Sequence, residues 1–70
     1  MEEAKQAIRL KYWREKRGLS QRQLANKVKP PISVSSVRKH EGGSRGLTED
    51  MIERYSEALG IEPYQLFMEI

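Results

Sequence analysis

Apolar positions recur at helical spacing in separate blocks, and each block is fenced by residues that start or stop a helix. Residues 4–17 carry Ala7, Leu10 and Trp13, with Ile8 beside them, as one apolar stripe, and Gly18 follows as a left-handed stop. Ser20-Gln21-Arg22-Gln23 has the form of a capping box, which predicts a second helix over 20–28 with Leu24, Ala25 and Val28 on one side. Lys29 and Pro30 each precede a proline, so both are pushed toward extended backbone and the second helix must stop by Val28. Ser33 can cap a third helix over about 34–41, with Val37 inward and Gly42-Gly43 ending it. Thr48 caps a fourth, where Glu49 and Asp50 suit the N-terminal dipole and Met51, Ile52, Tyr55, Ala58 and Leu59 form the apolar set up to Gly60. Pro63 fits the first position of a last short helix, YQLFM. No strand pattern competes, so the expected fold is all-α, a compact five-helix domain without repeats or linkers.

Length narrows this further. Seventy residues make one domain, 1–70, near the lower limit of what folds without staples. There is no Cys, so helix packing by the 37% of residues that are hydrophobic must supply the core. No apolar run is long enough to span a membrane and MEEAKQ has no signal-peptide character, so a soluble, cytoplasmic protein is expected.

The net charge of +3 conceals a strong asymmetry. Residues 4–46 hold twelve Lys and Arg against only Glu15 and Glu41, a balance of +10. Residues 47–70 hold Arg54 against six acids, a balance of −5. One end of the molecule suits a polyanion and the other does not.

The third helix offers Val34, Ser35, Ser36, Arg38, Lys39 and His40 around the inward Val37. Small residues at its start would let the backbone approach base edges in a major groove, and the cations that follow can reach guanine acceptors or phosphates. The second helix would present the free amides near Ser20 and Gln21 to a phosphate oxygen. Catalysis finds no support: no nucleophile–base pair, no phosphate-binding glycine loop and no cluster of metal ligands is legible. The lone His40 reads as packed or half-exposed, and no cofactor or metal is expected. Trp13, Tyr55 and Phe67 read as core.

Three stretches in order, "LKYWREKRGLSQRQLANKV", "ISVSSVRKHEGG" and "LTEDMIERYSEALGIEPYQLF", resemble the helix-turn-helix domain of the phage-repressor/Cro type over about residues 8–67. The resemblance implies that helix 2 positions and helix 3 reads bases, through Val34, Ser35, Ser36 and Lys39. Phosphate contacts are expected from Ser20, Gln21, Arg22, Arg38, Ser44 and Arg45, with Lys29, which departs from the family pattern, as a candidate extra one. The resemblance implies a structural ion pair between Arg14 and Glu41. Regulators of this design bind a palindromic double-stranded operator as homodimers, and Tyr64, Met68 and Ile70 are the candidate dimer surface. The chain departs from the family at the link between helices 2 and 3, where Lys29, Pro30 and Pro31 stand in place of a single Gly. Laid in line, two extra residues would shift helix 3 by roughly 6 Å and break its packing. The alternatives are an outward bulge that aims Lys29 at a phosphate, or a tolerated surface insertion.

The function expected is that of a sequence-specific transcriptional regulator, a repressor. The alternative from another class is an antitoxin-like module that neutralises a partner protein, with DNA secondary. RNA is a weaker third, because no aromatic platform for single strands is visible.

Overall fold

The computed structural model describes residues 2–66, with side chains from Arg9 onward. Helix α1 spans Glu2–Lys16, α2 Gln21–Lys27, α3 Val34–Glu41 and α4 Glu49–Leu59, and a 3-10 turn, Pro63–Leu66, follows. No strand occurs among the described residues. The side chains of Ala7 and Ile8, and the expected roles of Phe67, Met68 and Ile70, lie outside the described residues.

Each helix boundary has a local chemical cause. Ser20 accepts the Gln23 amide at 3.0 Å while the Gln23 side chain accepts the Ser20 amide at 2.8 Å, closing the capping box. Ser33 caps α3 by accepting from Ser36 at 3.1 Å, and Thr48 caps α4 by accepting from Met51 at 3.2 Å. Gly60 ends α4 at φ +69°, a left-handed conformation that costs a Cβ-bearing residue energy. The last described element is a 3-10 turn, tighter than the expected α-helix. Gln65 N–H donates to Glu62 O at 2.9 Å, and the Gln65 side-chain oxygen accepts the Glu62 amide at 2.8 Å. A 3-10 turn pairs its donors within fewer residues than an α-helix needs, which suits an element that opens on Pro63.

The core gathers one or more residues from every element: Leu10, Leu24, Ala25, Val28, Val37, Ile52, Tyr55, Ala58, Leu59 and Leu66. Burying each leucine stabilises the fold by about 1.5–3 kcal/mol. Trp13, Leu19, Ile32, Val34, Leu47, Met51 and Ile61 pack at its margin. Helix α1 is also held by Arg9 within it and Arg17 just after it. Arg9, only 5% exposed, donates to Leu66 O at 3.3 Å. Arg17 donates to Leu59 O at 2.7 Å, at the C-terminal end of α4, and its guanidinium lies 5.5 Å from the Trp13 ring centre.

The link between α2 and α3 loops outward. Val28 N–H closes α2 on Leu24 O at 3.1 Å, and the next free carbonyl, Ala25 O, receives Ile32 N–H at 3.1 Å. In an unbroken helix residue 29 would donate there. Ile32 therefore re-enters the frame three residues late, with Lys29, Pro30 and Pro31 outside it and the Lys29–Pro30 peptide cis. Val37 remains fully buried, so α3 is not displaced along an extended link.

Candidate nucleic-acid interface

Two residues of α3 face inward. Val37 is fully buried, and His40 is 4% exposed with Nδ1 2.8 Å from the Tyr55 hydroxyl. The two rings meet edge to face, 5.5 Å apart at 85°. Burial, reinforced by the positive charge of Arg45, holds the His40 pKa below its ordinary value, against a backbone hydrogen bond at Ser36 that raises it. Burial and the charge of Glu41 push the Tyr55 phenol upward. Both rings are thus neutral at pH 7 and joined by one hydrogen bond, its direction set by the histidine tautomer.

The outward surface of α3 is narrower than the sequence implied. Val34 is half-buried and packs against the core, because a residue three positions before Val37 shares its side of the helix. Ser36 is half-buried, and its hydroxyl lies 3.0 Å from the capping Ser33 hydroxyl. Ser35, Arg38 and Lys39 are exposed, and their i, i+3 and i+4 spacing gathers them on one face. The loop after α3 is tied to the same helix. Lys39 O accepts the Ser44 amide at 3.1 Å, the Arg45 amide at 3.3 Å and the Ser44 hydroxyl at 3.3 Å. Arg45 is exposed beside that face, whereas the Ser44 hydroxyl is engaged in holding the loop.

At the start of α2, Arg22 is exposed. The Ser20 hydroxyl is occupied as a cap, and Gln21 Nε2 donates to Glu41 Oε1 at 3.2 Å. Glu41 also receives Arg14, Nε to Oε2 at 2.6 Å and Nη2 to Oε1 at 3.2 Å, with side chains only 5% and 11% exposed respectively. Arg14 Nη1 continues to Leu19 O at 2.7 Å. One network thereby locks α1, the entry to α2 and the end of α3, with Gln21 drawn into it.

Lys29, in the link after α2, is exposed and lines an open cavity of about 280 Å³ with Lys27, Glu53, Arg54, Glu57 and Ala58. Tyr64 is 60% exposed. No group of side chains among the described residues could hold a metal ion. Sequence reasoning missed Arg54, whose guanidinium caps the α2–α3 link with Nη2 2.6 Å from Pro30 O and Nε 3.3 Å from Lys29 O. Its signal was available: Arg54 is the single cation in an acidic segment.

Two short helices packed against each other, the second presenting a basic outer face, with α1 against α3 and α4 against α2, define a helix-turn-helix domain. The chain belongs to the Cro/C1-type helix-turn-helix family of DNA-binding regulators, whose pattern it matches over residues 10–66. It is similar to a solved structure of a hypothetical transcription factor, NHTF, from Neisseria. That likeness has 26% identity and a TM-score of 0.89, and covers 97% of this chain and 76% of the other. It is also similar to the restriction-modification controller protein C.AhdI from Aeromonas hydrophila. There the identity is 36% and the TM-score 0.84, over 91% of this chain and 94% of the other. No curated protein matches it by sequence. No helix among the described residues is long and apolar enough to cross a membrane.

Proposed function

We propose that this chain is a sequence-specific double-stranded DNA-binding repressor acting in the cytoplasm, with α3 in the major groove. The observation that carries the reading is the exposed face of Ser35, Arg38 and Lys39, flanked by Arg45 and Arg22 and backed by the Arg14–Glu41–Gln21 network. Ser35 and Lys39 read base edges, with Val34 and Ser36 limited to backbone approach. Arg22, Arg38 and Arg45 neutralise phosphates and Gln21 contributes its backbone amide. Ser20, whose amide and hydroxyl oxygen are taken up in the cap, has its O–H left to donate, and Ser44 holds the loop that carries Arg45. Similarity to a named transcription factor and a named controller protein supports a regulatory role. One recognition helix covers part of one groove turn, so a homodimer on a palindromic operator, half-sites about 34 Å apart, suits the size of the domain. Tyr64 is the described residue available to that dimer. Enrichment of bound duplexes from a random pool tests the reading, followed by gel shift of the enriched duplex across a salt series. A common palindromic sequence and a steep salt dependence are expected. Failure to enrich any sequence, with a partner protein co-purifying instead, would favour the antitoxin-like alternative.

A further inference from the structure

The looped-out link cannot hold itself by ordinary means. Pro30 and Pro31 have no N–H, so two of the three donors that could close a turn there are missing, while the carbonyls still need partners. Arg54, from α4, supplies them: Nη2 donates to Pro30 O at 2.6 Å and Nε to Lys29 O at 3.3 Å. Nη1 lies 3.4 Å from Asp50 Oδ2, one turn earlier on the same helix, and 3.4 Å from Met51 Sδ. The planar guanidinium is thus anchored at one end and presents a fixed fork at the other. Beyond the fork the chain continues to Ile32, bonded to Ala25 O, and to Ser33, the cap of α3.

We propose that Arg54 is a positioning residue for DNA reading: it fixes the link and so gives Ser35, Arg38 and Lys39 one orientation relative to α2. This rests on the reading of α3 as the recognition helix. Each guanidinium nitrogen already has a partner within the chain, so the role assigned to Arg54 is to hold the link and not to bind a phosphate. A clamp of this kind acts on discrimination between sequences and leaves the count of phosphate contacts alone.

Three variants separate this role from simple stabilisation. Arg54→Met keeps the aliphatic stem, Arg54→Lys keeps the charge without the fork, and Arg54→Met in a chain lacking Pro30 and Pro31 removes the need for a clamp. Affinity for the duplex enriched by the unaltered chain and for a random duplex is measured across salt, at a temperature where circular dichroism shows every variant folded. Arg54→Met should lose about tenfold on the enriched duplex, the scale of one charge-assisted hydrogen bond, and less than about twofold on random duplex. Its salt slope should be unchanged and its Ile32 amide should exchange faster. Arg54→Lys should recover part of the loss, and in the shortened chain the Arg54→Met change should cost little. Equal losses on both duplexes, or a lower melting temperature with an unchanged affinity ratio, would overturn the clamp. Failure of the unaltered chain to enrich any duplex is a different result: it overturns the recognition-helix reading, and the clamp's role with it.

Discussion

Arg14 of α1 and Glu41 in the last turn of α3 meet as a two-pronged pair, at 2.6 and 3.2 Å, with the carboxylate almost wholly shielded from solvent. Removing Glu41 leaves a shielded guanidinium with only Leu19 O and, at 4.0 Å, the exposed Glu15 carboxylate. Glu41→Ala should therefore cost about 3–5 kcal/mol, while the paired change Arg14→Met with Glu41→Leu should cost less than the two single changes together. Urea unfolding of the four proteins measures both statements. Additive losses would show that the two side chains act independently.

His40 makes stability depend on pH in a definite direction. Its folded pKa lies below the unfolded value of 6.5, so below that pH the unfolded chain binds more protons than the folded one. The contribution of His40 is complete above pH 6.5 and is lost as pH falls toward the folded pKa, at up to about 1.4 kcal/mol per pH unit. The double variant His40→Phe, Tyr55→Phe removes the titrating ring without orphaning the phenol. Unfolding free energies at pH 7.5, 6.5 and 5.5 should fall for the native chain and stay flat for the double variant.

Lys39 and Arg45 should separate base reading from phosphate binding. Lys39→Ala should cost about 1–3 kcal/mol on the enriched duplex and much less on random DNA. Arg45→Ala should weaken both and reduce the salt slope by about one. An equal effect of Lys39→Ala on both duplexes would make it a phosphate contact.

Gly60 tests the end of α4. Its φ is +69° and no atom lies within 4 Å of where a Cβ would stand, so any cost of substitution is conformational. Gly60→Ala should destabilise by about 1–2 kcal/mol and Gly60→Asn by less, because Asn tolerates the left-handed region. Thermal melting of the two variants orders them.

The helices were legible because their signals are local. Ser20 with Gln23, Ser33, Thr48 and Gly60 each act within a few residues, and the structure uses each as a cap or stop. The inward set Leu24, Ala25, Val37, Ile52, Tyr55 and Leu59 followed from helical period alone. What escaped the sequence is long-range and polar. A guanidinium can end on any carbonyl within reach, so nothing near Arg54, Arg17 or Arg9 in the chain announces Pro30, Leu59 or Leu66 as its partner. For the same reason the basic segment overstated the free surface, since Arg9, Arg14 and Arg17 each reach a carbonyl within the chain. Val34 and Ser36 were assigned outward by composition, whereas the pitch of α3 and the Ser33 cap turn them partly inward.

Arg9 of α1 and Arg17, just after it, also set an order of events during synthesis. Arg17 closes on a carbonyl 42 residues later and Arg9 on one 57 residues later. While the chain leaves the ribosome, both groups must wait in water until Leu59 and Leu66 have emerged. A product that terminates early, after α3 but before Leu59, holds both helices of the motif and neither of those carbonyls. Such a fragment keeps the Arg14–Glu41–Gln21 network but lacks the core residues Leu59 and Leu66, so incomplete chains should fold less well and compete weakly for the same DNA.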